Sequence, residues 1–260
     1  MKRISTFLTL IALIIISVQP VAAQPSQPDP DFHIYLLIGQ SNMAGRGKVD
    51  SISKLSRPRI LMFDSTRKFV PATDPLHFDK KVAGVGPGLS FADHMLPAGG
   101  RIKIGLVPAA VGGTSIKSWV PGGFDSATKT HPYDEAMVRI KAALRYGVLK
   151  GILWHQGEAN SGGFAQSPTY ITQLQALVAR LRSELNAPDV PFVMGELGYF
   201  RPKFRNFNAM LQQVPDSIRN ITVVSAQGLG HKGDTTHFDT QAARELGKRF
   251  AVGMKQLQQK

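Results

Sequence analysis

Ser41 stands between two amides, Gln40 and Asn42, directly after the apolar run from Ile34 to Ile38, while Asp234 and His237 sit three residues apart in the segment GDTTHFDT. A serine, a histidine and a carboxylate together can carry out acyl transfer. The imidazole takes the hydroxyl proton through Nε2, and a carboxylate on Nδ1 fixes the tautomer and stabilises the imidazolium. A D-x-x-H spacing lets one short turn supply both the base and its orienting acid. Each piece also has a plainer reading. Ser41 could be a turn former or a helix N-cap, and Asp234 could cap the following helix with His237 incidental. Met43 excludes the G-x-S-x-G elbow. Asp239 competes with Asp234 as the cap, which frees Asp234 for another task, and His231 competes as the base but has Gly230 and Lys232 beside it instead of a carboxylate.

Acyl transfer also needs donors for a developing oxyanion. Gly112-Gly113, in VGGTSIKSW, follows an apolar run, and a backbone N–H without a Cβ beside it can approach a ligand closely. Gln156, in WHQGEAN, ends another such run, and a neutral amide is a suitable donor. A tight strand-to-helix turn and a buried, satisfied amide would explain the same residues structurally. Glu158 reads either as a second catalytic acid or as a carboxylate that holds loops by accepting backbone N–H bonds, with the second favoured. The histidines show no H-x-x-x-H or H-E-x-x-H pair and the chain has no cysteine, so no metal or cofactor is expected.

The elements that must position these residues alternate along the chain. Apolar, β-rich runs occur at HIYLLIG, RILMFD, IKIGLVPAA, GILWHQG, VPFVMGEL and ITVVSAQG. Helical periodicity marks GPGLSFADHML, PYDEAMVRIKAALRYG, SPTYITQLQALVARLRSELN, KFRNFNAMLQQV and TQAARELGKRFAVGMKQLQ. Strands that are apolar throughout, alternating with helices, predict a parallel sheet covered on both faces, an α/β architecture in one domain. Ligands of such sheets bind beyond the carboxyl ends of the strands. Four of these ends, at Gly39-Gln40-Ser41, AAVGGTS, WHQGEAN and GELGYF, are therefore predicted to meet on one rim, with Tyr199 and Phe200 as a candidate wall for a sugar ring.

Taken together, GQSNM at 39–43, GGTSI at 112–116 with Trp119, WHQGE at 154–158 and GDxxHF at 233–238 resemble the SGNH (GDSL-like) hydrolase superfamily. More narrowly they resemble the carbohydrate esterase branch that includes family 6 acetylxylan esterases and sialate O-acetylesterases. The resemblance implies a three-layer α/β/α, flavodoxin-like domain with a central parallel sheet of about five strands. It implies Ser41 as nucleophile, His237 as general base and acid, and Asp234 as orienter. The oxyanion hole would use the N–H groups of Ser41 and Gly113 with the Gln156 side chain, supported by Gln40, Asn42, Gly112 and Glu158. The implied activity is removal of O-acetyl groups from a carbohydrate, acetylxylan-esterase-like. A sialate O-acetylesterase, a general esterase or lipase of the same superfamily, and a non-catalytic carbohydrate-binding protein are the alternatives.

The first residues read differently from the rest. Lys2 and Arg3 precede the apolar run FLTLIALIIISV and the small-residue segment QPVAAQ, the pattern of a secretory signal peptide over residues 1–23. The run is shorter than the ~20 residues that span a bilayer, so cleavage is expected to leave a protein without stable membrane insertion, secreted or periplasmic. A proline-rich leader follows at 24–32, and the esterase domain is assigned to 33–260. The net charge is +13, of which Lys2 and Arg3 supply two, leaving +11 on the processed chain. That excess is scattered and accompanies no nucleic-acid motif. It favours an anionic acetylated polysaccharide or oligosaccharide as partner over a nucleic acid.

Overall fold

Ile34 to Ile38 are shielded from solvent almost completely, as expected of a central strand covered on both faces. They belong to β1 (Asp29–Gly39), which pairs in parallel with β4 (Lys103–Pro108) on one side and β5 (Gly147–His155) on the other. The computed structural model describes residues 27–55, 57–162 and 167–259; the signal peptide expected at 1–23 lies outside the described residues. Beyond β4 come β2 (Ile60–Phe63) and an antiparallel edge strand, β3 (Phe69–Pro71). Beyond β5 come β6 (Phe192–Gly195) and β7 (Ile221–Val224), both parallel. The order is β3-β2-β4-β1-β5-β6-β7.

The six parallel strands fall on the six apolar runs, so the sheet is wider than the five or so strands the resemblance implies. The seventh strand, β3, is three residues long and only partly buried, too short to show any alternation. β1 also starts earlier than expected, taking in the last four residues of the proline-rich leader. Pairing of Asp29 with Gly147, and ion pairs of Asp29 with Lys103 (3.4 Å) and Asp31 with Arg101 (3.5 Å), carry the strand through residues of low β-propensity.

The pleat sends alternate side chains of β1 to opposite layers. Ile34, Leu36 and Ile38 pack with Tyr133, Met137 and Ile140 of α3 (Pro132–Ala143) and with Leu174, Leu177 and Leu181 of α4 (Ser167–Glu184). Phe204 and Phe207 of α5 (Pro202–Leu211) complete that layer, next to the single-turn α6 (Val214–Ser217). Tyr35 and Leu37 face Leu89 and Phe91 of α2 (Pro87–Met95) and Leu246, Phe250 and Met254 of α7 (Thr240–Gln258). The apolar stripe of α7 recurs every three to four residues, as an amphipathic helix requires. Asp239 caps it by accepting from the Ala242 N–H (2.8 Å). No helix among the described residues is long and apolar enough to cross a membrane.

From β1 the chain goes out to β2 and the edge strand β3, comes back to β4 beside β1, and then crosses β1 to build β5, β6 and β7 on the other side. This reversal leaves a crevice at the carboxyl ends of β1, β4 and β5, where open α/β sheets place their ligands.

Candidate active site

Ser41 opens the one-turn helix α1 (Ser41–Ala44) immediately after β1. Gly39 makes this exit possible. Its φ of +127° is unfavourable for other residues, and a Cβ there would overlap the backbone of His155 on the neighbouring strand. The Gln40 N–H then donates to the His155 carbonyl (2.8 Å), which fixes the start of the turn. As the first residue of a helix, Ser41 has a backbone N–H with no intrahelical acceptor.

The loop before α7 brings its two chemical residues to this point. The Ser41 hydroxyl lies 3.0 Å from His237 Nε2, and His237 Nδ1 lies 2.7 Å from Asp234 Oδ2. With Nδ1–H donating to the carboxylate, Nε2 carries the lone pair that receives the serine proton. Asp234 Oδ1 accepts the backbone N–H groups of Thr236 (3.0 Å) and His237 (2.8 Å). Partial burial works to raise the Asp234 pKa, but the His237 and Thr236 hydrogen bonds outweigh it and hold the carboxyl well below the usual carboxylate range. Asp234 is therefore ionised wherever the imidazole needs it. Asp239 caps α7, and Asp234 is left for the imidazole.

His231 takes no part as a base. Its Nδ1 accepts from the N–H groups of Gly233 (3.0 Å) and Thr235 (3.3 Å), and it pairs with Phe238 in a β-bridge that closes the loop. Arg201 braces the same loop, donating from Nε to the Thr235 carbonyl (3.0 Å) and from Nη2 to that of Asp234 (3.3 Å). Asn42 ties the loop to α1. Its Oδ1 accepts the Phe238 N–H (3.1 Å) and its Nδ2 donates to the Thr236 carbonyl (3.0 Å), so one amide grips the backbone on both sides of His237. Glu158 departs from expectation. Among the described residues it accepts the Asn42 side-chain amide (2.5 Å) and no backbone N–H, so there it holds the loop through Asn42. His155 lies 3.8 Å from Glu158; burial pushes its pKa down, and its Nε2 faces the Glu196 carbonyl at 2.9 Å.

Across the crevice, the Gly113 N–H (φ +97°) has no partner among the described residues. The Gly112 N–H is turned inward onto Asp79 Oδ2 (2.9 Å). Gln156 corrects the expectation of a side-chain donor at the rim. It is fully buried, and its amide nitrogen is shared among Gln40 Oε1 (3.1 Å), the Thr114 carbonyl (3.1 Å) and Asn160 Oδ1 (2.6 Å). Two amide hydrogens facing three protein acceptors leave nothing for a ligand. Gln40 serves the same network, its Oε1 also facing the N–H groups of Gly157 and Ala159 at 3.4 Å. Tyr199 and Phe200 are packing residues: the Tyr199 hydroxyl donates to Glu196 (3.1 Å), and the Phe200 ring meets His231 and Phe238 edge-on.

Asn160, Thr114, Arg201, Arg46 and Asp79 are the residues of this region that sequence reasoning did not select. Thr114 and Asn160 lie within segments already singled out, GGTSI and WHQGEAN, but each residue here has a partner remote in sequence that residue type does not announce. Among the described residues no group of three or more histidine, cysteine or acidic side chains is placed to hold a metal ion.

Comparison with known proteins agrees with this geometry. The sequence pattern of the family described as carbohydrate esterase, sialic acid-specific acetylesterase, matches residues 31–256. A probable carbohydrate esterase of Arabidopsis thaliana is 32% identical over 90% of this chain and 95% of its own length. The solved structure of that Arabidopsis protein superposes with a TM-score of 0.76 at 30% identity, covering 88% of this chain and 99% of that one. NanS shares the fold at a TM-score of 0.68 and 18% identity, over 90% of this chain and 99% of its own. A carbohydrate acetylesterase from Xanthomonas citri does so at 0.65 and 17%, over 86% of this chain and 56% of its own. With a rim of this design on an SGNH-like α/β sheet, the chain belongs to the sialic acid-specific acetylesterase family of carbohydrate esterases.

Proposed function

We propose that this carboxylic ester hydrolase removes O-acetyl groups from a sugar through an acyl-enzyme on Ser41. The observation that carries the reading is the hydrogen-bonded line from Ser41 Oγ through His237 to an ionised Asp234. Ser41 attacks the ester carbonyl while His237 Nε2 takes its proton. The N–H groups of Ser41 and Gly113 receive the oxyanion, and His237 returns the proton to the leaving sugar hydroxyl. Water activated by the same imidazole then releases acetate. Gln156 acts behind the rim, holding Gln40 and the Thr114 carbonyl in place.

A carboxylate-bearing acetylated sugar is the favoured substrate, ahead of the neutral acetylxylan. The net charge of +13, or +11 once Lys2 and Arg3 are removed with the leader, supports this. So does Lys80, whose Nζ would lie 3.9 Å from a Cβ on Gly113, together with the partly exposed Lys232 beside Asp234. The leader supports export, which N-terminal sequencing of the processed protein would test at the Ala23–Gln24 bond.

The experiment is acetate release from O-acetylated sialic acid and from acetylxylan, with Ser41→Ala as control. Serine-dependent release is expected from both in decreasing order, weakening for the anionic sugar as salt is added. Equal or greater activity on acetylxylan would reject the preference for charge. Release that persists in Ser41→Ala would reject the mechanism.

A further inference from the structure

Beneath the glycine turn, outside the triad, lies a buried ion pair with no role in the reaction described so far. Arg46 Nη2 and Asp79 Oδ2 are 2.8 Å apart, with side chains 4% and 1% exposed. The same Asp79 oxygen accepts the Gly112 N–H at 2.9 Å, while Asp79 Oδ1 has no partner among the described residues. Arg46 Nη1 donates to the Gly45 carbonyl (2.7 Å), and the Gly45 N–H donates to the Ser41 carbonyl (2.9 Å). One carboxylate oxygen thus joins the nucleophile segment to the turn that carries Gly113.

The turn is anchored on both sides of its glycines, on the far side by Thr114, whose hydroxyl donates to the Val111 carbonyl (2.9 Å) and whose carbonyl accepts from Gln156 (3.1 Å). The N–H groups of Ala109 (2.9 Å) and Val111 (3.0 Å) tie the segment after β4 to the Leu37 and Gly39 carbonyls of β1. The next backbone bond, from the Thr114 N–H to the Val111 carbonyl, is long at 3.4 Å. Between them the Asp79 carboxylate is the acceptor that sets the peptide plane of Gly112, and with it the orientation of the Gly113 N–H. Arg46 and Asp79 pack so closely under Gly112 that a Cβ there would overlap the guanidinium. A carboxylate is a stronger acceptor than a neutral group, but a buried one must be paired. Arg46 supplies that pairing from the segment that holds Ser41.

We propose that Asp79 is a positioning residue for catalysis, clamped by Arg46, that sets the spacing between the two backbone donors of the oxyanion hole, Ser41 N–H and Gly113 N–H. The inference rests on the serine-esterase reading above. Displacing a catalytic group by about 1 Å costs roughly 10²-fold in rate, which sets the size of the effect.

The test compares Asp79→Ala, Asp79→Asn and Ser41→Ala in the full-length protein, below the melting temperature of each. kcat and KM are measured with 4-nitrophenyl acetate, and phenylboronic acid serves as an inhibitor whose serine adduct occupies the oxyanion hole. Asp79→Ala should lose about 10² in kcat with KM little changed, and Asp79→Asn, which keeps a weaker acceptor, roughly tenfold. The inhibition constant of phenylboronic acid should rise in the same proportion as kcat falls. The pH profile should keep its shape, because His237 and Asp234 are untouched. Either variant, folded, with kcat and inhibition constant both within a factor of two of the parent would overturn the proposal. So would a lowered kcat accompanied by an unchanged inhibition constant or a displaced pH profile. If Asp79→Ala does not fold, Asp79→Asn alone decides. Ser41→Ala separates the two readings: activity surviving in it refutes the serine mechanism, whereas an inactive Ser41→Ala beside a fully active Asp79→Ala refutes only the clamp.

Discussion

The two sides of the crevice are built in opposite ways. On the side of α7, the proposed base and orienting acid come from one short loop, partly open to solvent, closed by a His231–Phe238 bridge and gripped by Asn42. On the side of β4 and β5, the proposed oxyanion donor Gly113 sits over a buried polar network: Gln156 with Gln40, Thr114 and Asn160, and Asp79 with Arg46 and Gly112. The proton-transfer side is set by local chemistry between neighbours in sequence, whereas the oxyanion side is set by burial between residues far apart. A loop that exchanges protons needs access to solvent. Donors aimed at a developing charge gain strength where water is excluded.

Variants can break this contrast, beginning with the side where the loss is greatest. Ser41→Ala or His237→Ala should lower kcat by about 10⁴ or more in a folded protein, and Asp234→Asn by about 10⁴ through the wrong imidazole tautomer. Steady-state kinetics with 4-nitrophenyl acetate checks all three, and normal turnover in any would dissolve the triad. Asn42→Ala should cost roughly 10² in kcat, since both backbone grips beside His237 are lost and the base drifts. A change confined to KM would assign Asn42 to substrate binding instead. Gln156→Ala sharpens the comparison from the buried side. A direct oxyanion donor would cost about 10²–10³ in kcat, whereas a residue behind the rim should cost roughly tenfold. A lower melting temperature should accompany it, because each buried acceptor left unpaired costs about 1–3 kcal/mol. A thousandfold loss at unchanged melting temperature would return Gln156 to the oxyanion.

The smallest effect comes from the segment that carries Asp79. Burial pushes the Asp74 carboxyl up to about 7, against nearby Arg244 and Arg57, and pushes His77 down to about 4, against Asp79. Between pH 4 and 6.5, native Asp74 holds a proton that its unfolded form releases, so its contribution to stability falls as pH rises. Native His77 lacks a proton that its unfolded form binds, so its contribution rises. The two cancel over that window. His77→Gln should expose the Asp74 term, and the melting temperature should decline steadily from about pH 4 to 7. A flat profile in that variant would mean that Asp74 is ionised in the native protein.

How much of this was legible in the sequence follows the same division. The parallel strands are marked by apolar runs and the long helices by periodicity, because each pattern is complete within one element. The Asp234–His237 pair is legible for the same reason, being a turn read from end to end. β3 is missed because three half-exposed residues form no pattern. Asp79, Arg46 and Asn160 are missed because an ordinary acid, base and amide become informative only through partners 33 to 44 residues away. Gln156 was selected as an oxyanion donor, but its residue type does not reveal that its buried amide turns toward Gln40, Thr114 and Asn160. Glu158, likewise, was expected to hold backbone and instead holds Asn42.

The sequence separation between the serine and its base, 196 residues, has a consequence for synthesis. Ser41, the proposed nucleophile, is synthesised first, at the end of the strand in the middle of the sheet. His237 follows 196 residues later, just ahead of α7, the helix that packs on the second layer. A growing chain therefore carries an inert hydroxyl until the C-terminal helix docks against β6 and β7. On the proposed mechanism, hydrolytic activity thus waits until the segment from β1 through the His237 loop has been made and folded.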